Sequence, residues 1–294
     1  MEKLSKATVA FSLRSYVNLT KPGIIMGNSL TAAAGFSLAS IETFNFWLFL
    51  AMFEGLAFII ASACVFNNYI DRELDGKMER TKNRPLVLGN ISPKAAIIYA
   101  IMLGLLGTLI LALFTNLLTV GIALLGMFMY VVAYSFSKYY TTYGTLVGSI
   151  AGAIPPVVGY CAVTNYFDGG ALLLFVMIAM WQMPHFYAIA IRRLKDYANA
   201  SIPVHPVKKG IRSTKVHMVF YIVAFICTPI LLTFLGYTGY LFLGVLTFLG
   251  LVWLVMGLRG FKKNSCDTTW ARQMFIFSLV IVMAICVVIP FSVC

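Results

Sequence analysis

Charge is scarce in this chain, and acid is scarcer still. Of 294 residues only 11% are Asp, Glu, Lys or Arg, and ten are acidic. With 61% hydrophobic residues and a mean hydropathy of +0.90, this excludes an ordinary water-soluble globule. Strict apolar–polar alternation is also missing, which excludes a membrane β-barrel. The six cysteines form no Cys-x-x-Cys pair. Cys64, Cys161, Cys227 and Cys286 fall inside apolar runs and read as small packing residues. Nor does the N-terminus read as a cleavable leader, because its first apolar run is interrupted by Asn28, Ser29 and Thr31.

What is present is a series of continuous apolar runs. They fall at about 22–40, 47–67, 94–114, 117–137, 142–163, 170–190, 216–235, 239–258 and 272–291. Each has roughly the 20 residues that cross ~30 Å of hydrocarbon at 1.5 Å per residue. The expectation is an all-α polytopic membrane protein with nine transmembrane helices, in a single domain over 1–294. With these spans, all 22 Lys and Arg fall on one side, and the other side carries only Glu42 and Asp168. The positive-inside rule then predicts a cytoplasmic N-terminus, cytoplasmic long loops (68–93 and 191–215) and a C-terminus on the far side. Topology explains most of the net +12. The remainder suits anionic headgroups or a phosphorylated substrate, and no nucleic-acid partner is expected. Both long loops open on acids at the end of a span, so two four-helix halves with a ninth helix appended is one reading of the organisation.

Four of the ten acids crowd into residues 71–79. Asn67, Asp71 and Asp75 are spaced i, i+4, i+8, so their oxygens share one face if the second helix continues through them. Oxygen donors at a helix mouth suit a hard cation, and Mg²⁺ is usually held by one or two carboxylates together with substrate phosphates. Arg80, Lys82 and Arg84 follow closely enough to supply the opposite half of a diphosphate site. The bland alternative is a solubilised helix end with surface ion pairs, although Asn67 lies a turn deeper, where a polar group is costly without a role. His185, Ile189, Arg192 and Asp196 are spaced 4, 3 and 4 and would share a face at the end of the sixth span. Asp196 is then a second carboxylate at the depth of Asp71 and Asp75, or a helix end with snorkelling arginine. His185 is a ligand or a packed core histidine. Lys21 and Lys138 are anion clamps or ordinary membrane-edge lysines. Glu54 is the one acid within a span. Gly144, Gly148 and Gly152 have the spacing of a close helix contact.

The run Asn67-Asn68-x-x-Asp71-x-x-x-Asp75, followed by Arg80-Thr81-Lys82-Asn83-Arg84-Pro85-Leu86, resembles the first aspartate-rich motif of the UbiA-type intramembrane prenyltransferases. Lys21-Pro22, Tyr134-Ser135 to Lys138 and the acidic patch at Asp196 extend the resemblance over the whole chain. Asn68 stands where the family usually has Asp, and Asp196-Tyr-Ala-Asn-Ala200 lacks the second acid of the second motif. Asn68, Met78 to Leu86 and Trp181-Gln182-Met183-Pro184-His185-Phe186 are similar to the branch whose acceptor is protohaem IX. The resemblance implies a UbiA-type bundle that transfers a farnesyl group from farnesyl diphosphate to haem B, with Mg²⁺ as cofactor. It implies metal donors Asn67, Asp71, Asp75 and Asp196, with Asn68 and Asn199 as further candidates. Catalytic roles fall on Asp71, Asp75, Asp196 and Lys138, and diphosphate contacts on Lys21, Arg80, Lys82, Arg84, Lys138 and Arg192. His185 becomes a haem contact. The setting implied is the cytoplasmic (inner) membrane, with the site at the cytoplasmic face and a haem-transfer contact to a terminal oxidase or haem-modifying enzyme. A quinone precursor as acceptor, or an anionic-lipid transporter, are the competing readings.

Overall fold

The computed structural model describes residues 13–40, 43–262 and 266–292; Glu42 lies outside them. Among the described residues the secondary structure is helical, with no strand. In chain order the long helices are α1 (Pro22–Ala39), α2 (Phe46–Asp75), α3 (Pro93–Phe114), α4 (Leu117–Tyr140), α5 (Gly144–Thr164), α6 (Gly169–Arg192), α7 (Ile211–Phe234), α8 (Tyr240–Arg259) and α9 (Asp267–Phe291). Two short helices, Leu194–Asn199 and His205–Lys209, lie between α6 and α7.

Eight of these helices, α2 to α9, are long and apolar enough to cross a membrane. The nine-span expectation differs only at α1, which has 18 residues and whose hydropathy is lowered by Pro22, Asn28, Ser29 and Thr31. α1 is nonetheless built into the bundle. A Cβ on Gly35 would come within 1.9 Å of the Pro156 carbonyl oxygen, and one on Gly159 within 1.9 Å of that of Ala32. Only glycine at both positions lets α1 and α5 cross this closely.

Helix boundaries follow local chemistry. Asn45, Ser92, Asn116 and Asp168 each accept a hydrogen bond from a backbone N–H of the first turn of α2, α3, α4 and α6. α5 breaks at Ala153 ahead of Pro155-Pro156, giving the pieces Gly144–Gly152 and Ile154–Thr164. α4 contains a six-residue π-helical stretch, Met129–Tyr134. α5 and α6 are the most buried helices and α3 and α4 the least. α9 packs on α6, α8 and α1, so the ninth helix closes the bundle and is not merely appended to it. Glu54 is exposed on the outer surface.

Candidate active site

A cavity of about 890 Å³ runs into the bundle from the ends of α2 and α4. Lys21, Asn67, Asp71, Asp75, Arg80, Arg84 and Lys138 line one part of it; Trp181, Gln182, His185, Phe186, Phe275 and Leu279 line another. α2 continues as helix to Asp75, so the i, i+4, i+8 register holds, and Asn67, Asp71 and Asp75 are all buried on the cavity side.

Each of these three side chains is held by a basic partner. Lys21 Nζ donates to Asn67 Oδ1 at 2.6 Å, with Tyr130 Oη at 3.4 Å from the same oxygen. Asp71 accepts from Lys138 Nζ and from the Tyr139 hydroxyl. Asp75 accepts from Arg84 and is almost wholly buried. Lys138 also lies over the rings of Tyr134 and Tyr139, at 5.1 and 4.9 Å. The π-helical turn shifts the register ahead of Ser135, and Tyr130, Tyr134 and Lys138 all line the cavity. The oxygen-only donors match what a hard cation takes, and the surrounding cations match a diphosphate.

Lys21 holds a left-handed backbone, φ 55° and ψ 68°, immediately before Pro22. Such strain in a non-glycine residue persists where the surroundings enforce it, and here the side chain is tied to Asn67. Burial lowers the Lys21 ammonium to about 8. Glycine accepts this backbone conformation, so Lys21→Gly should fold normally. Its affinity for farnesyl diphosphate should drop roughly tenfold, the size of one charge-assisted hydrogen bond; equal affinity in a binding titration would remove Lys21 from the site.

Several expected residues lie elsewhere. The helical face from His185 to Asp196 is interrupted, because Arg193 (φ −111°, ψ 26°) ends α6 and Asp196 begins anew on Leu194–Asn199. Asp196 sits 3.9 Å from Arg193 and does not line the cavity, whereas Tyr197 and Arg193 do. Asn199 is exposed. Lys82 is exposed and paired with Glu79 at 2.6 Å, which draws it away from the cavity wall. Among the described residues, no three His, Cys, Asp or Glu side chains converge as a metal cluster. Arg192 lines the cavity with its guanidinium 5.2 Å from the Phe275 ring.

Asn68 has a structural task. Its Nδ2 donates to the Leu19 carbonyl at 2.7 Å, tying the 13–19 helical turn to α2, while its buried Oδ1 has no partner. An ionised aspartate could not donate that bond and would set two oxygens against each other. Asn68→Asp should therefore destabilise the protein by roughly 1–3 kcal/mol, read as lowered thermal stability in detergent. An unchanged transition would contradict the assignment.

Tyr130, Tyr139 and Phe275 were not singled out by sequence reasoning, and Gln182 entered only within the Trp181–Phe186 run. Tyr139 is adjacent to a candidate lysine, which is a usable signal; Tyr130 and Phe275 carry none. Gly148 and Gly152, expected as packing residues, also make room within the cavity. A Cβ at Gly152 would lie 2.4 Å from the Gln182 amide oxygen, and one at Gly148 would lie 3.0 Å from the Tyr134 ring.

A polytopic helical bundle with an asparagine–aspartate–aspartate helix mouth, ringed by lysine and arginine above an apolar cavity, defines a class of membrane prenyltransferases. The chain belongs to the UbiA prenyltransferase family, whose model matches residues 28–279. It is similar to the protoheme IX farnesyltransferase of Protochlamydia amoebophila (strain UWE25), with 56% identity over 94% of this chain and 98% of the relative. The enzyme of the same name from Sodalis glossinidius (strain morsitans) is 50% identical over 94% and 93%. Among solved structures, a digeranylgeranylglyceryl phosphate synthase superposes with a TM-score of 0.77 at 18% identity, covering 95% of this chain and 99% of that one. A UbiA homologue from Archaeoglobus fulgidus, bound to GPP and Mg²⁺, gives 0.70 at 16% identity over 94% and 99%. These two establish the fold.

Proposed function

We propose that this chain transfers the farnesyl group of farnesyl diphosphate to a vinyl group of protohaem IX (haem B), with addition of water, giving haem O and diphosphate. The observation that carries the reading is the match to relatives named for this transfer, at 49–56% identity over 93–96% of the chain. The cavity supports it, since it joins a charged mouth to an apolar interior. In the test reaction, purified protein with Mg²⁺ and farnesyl diphosphate should release diphosphate when haem B is supplied and not when a quinone precursor replaces it. Release driven by the quinone precursor and not by haem would overturn the acceptor assignment.

Asn67, Asp71 and Asp75 are the residues that would hold Mg²⁺. An ion held there would supply Lewis-acid charge to neutralise the diphosphate as the allylic C–O bond breaks. Lys21, Lys138 and Arg84, paired here with those three side chains, would also offer their positive charge to the diphosphate. Arg80 and Arg192 also line the cavity and add positive charge to it. Preorganised charge of this kind stabilises a departing diphosphate without reorganisation at the moment of ionisation. The apolar wall keeps water from the first cation, and the stacked rings of Tyr130 and Tyr134, 5.5 Å apart, offer it π faces. The vinyl carbon attacks the farnesyl carbon to form the C–C bond. Water then captures the new cation beside the macrocycle and releases a proton.

The site lies at the cytoplasmic face of the inner membrane in this reading. A reporter fused at Gly210 should score cytoplasmic and one fused after Cys294 should score on the far side. Both on the same side would refute the nine-helix topology.

A further inference from the structure

The imidazole of His185 is fixed more tightly than packing alone requires. It lies between two aromatic rings, Trp181 at 5.1 Å and 27° and Phe275 at 4.9 Å and 35°. Its Nδ1 is 2.7 Å from Ser278 Oγ. That same hydroxyl is 2.6 Å from the Phe275 carbonyl oxygen, to which it donates. Two oxygens this close would repel without a proton between them, so the serine proton is committed to Phe275. Ser278 Oγ can then only accept, and Nδ1 must carry the imidazole proton. A further bond, Trp181 Nε1 to the Ser278 carbonyl at 2.8 Å, locks the neighbouring ring to the same residue. His185 Nε2 therefore keeps its lone pair. It has no hydrogen-bond partner among the described residues, and the ring lines the cavity.

We infer that Ser278 is a positioning residue that sets the His185 tautomer, so that Nε2 is presented as an axial ligand to the iron of the haem substrate. This rests on the reading of haem B as acceptor. Histidines that ligate metals characteristically donate their other ring N–H to a fixed acceptor, which sets the tautomer and orientation and raises ligand basicity. Here that acceptor comes from α9 and the ligand from α6. Seating of the macrocycle therefore depends on contact between two helices well separated in sequence. Ser278 itself is fully buried and does not line the cavity, so it acts only through His185.

The test is a titration of haem B into purified wild-type protein and the variants Ser278→Ala, Ser278→Thr and His185→Ala. It follows the Soret band and haem affinity, with Mg²⁺-dependent binding of farnesyl diphosphate as the measure of intact fold. His185→Ala should lose the histidine-ligated spectrum. Ser278→Ala should weaken haem binding by roughly 10- to 100-fold, the usual effect of removing such a partner, and shift the Soret band, with farnesyl diphosphate binding retained. Ser278→Thr keeps the hydroxyl and should behave as wild type. Wild-type haem affinity and spectrum in Ser278→Ala, beside an altered His185→Ala, would overturn the role of Ser278 while leaving His185 as the ligand. So would a Ser278→Thr as impaired as Ser278→Ala with farnesyl diphosphate binding intact. An unchanged spectrum in His185→Ala would remove the ligand itself, and wild-type protein that binds no haem B would remove the acceptor reading beneath both.

Discussion

Asp71→Asn and Asp75→Asn should each reduce farnesyl transfer by about 10³-fold, the upper end of what removing one preorganised electrostatic group costs. Asparagine is the informative replacement. Both aspartates are buried against a cation, Lys138 for Asp71 and Arg84 for Asp75. Truncation to alanine would strand that cation, at a cost of roughly 3–5 kcal/mol, and would confuse a folding defect with a catalytic one. An amide keeps the shape and one acceptor oxygen, which can still take the bond from Lys138 while its NH2 turns to the Tyr139 hydroxyl oxygen as donor, but it removes the charge that a divalent cation needs. Turnover measured as haem-dependent diphosphate release should collapse while the protein remains folded in detergent. Either variant within tenfold of wild type would show that its carboxylate does not hold the metal.

The second large effect is expected at Lys138. Methionine retains the unbranched stem between the Tyr134 and Tyr139 rings but removes the ammonium. If Lys138 leaves Asp71 to stabilise charge on the departing diphosphate, Lys138→Met should lower kcat by about 10²- to 10³-fold. Affinity for farnesyl diphosphate should fall much less, because the charge gained at ionisation belongs to the transition state. Haem affinity should not change. Loss of substrate affinity with kcat preserved would instead make Lys138 a simple ground-state anchor.

The helices were legible because a run of about 20 apolar residues in a membrane has little alternative to helix. The mouth of the cavity was legible because Asn67, Asp71 and Asp75 lie on one unbroken helix, where spacing alone dictates the face. Asp196 was misplaced in the fold for the complementary reason. Its placement on the face of His185 assumed α6 ran on past Arg192, yet the chain turns at Arg193 with no proline or glycine to announce it. The π-helical turn in α4 was equally hidden, since Met-Tyr-Val-Val-Ala-Tyr has no residue that demands it. α1 fell short on hydropathy because its polar residues face a cavity and a neighbouring helix, an environment that an average over 18 residues cannot register. The Ser278–His185 contact joins residues 93 apart in sequence, and pairing across helices is set by packing, which local pattern does not encode. Asn68 shows the reverse: its departure from the family pattern was visible in the sequence, but its reason, the Leu19 carbonyl, was not.

In the proposed reaction one cavity brings together farnesyl diphosphate, haem B and water. This is tested most directly by mass analysis of the haem product formed by purified protein, Mg²⁺, haem B and farnesyl diphosphate in ¹⁸O-labelled water. The expected product is a haem carrying one farnesyl group and one hydroxyl, with the label in that hydroxyl. Haem B recovered unchanged, with the farnesyl group found only as labelled farnesol, would contradict it.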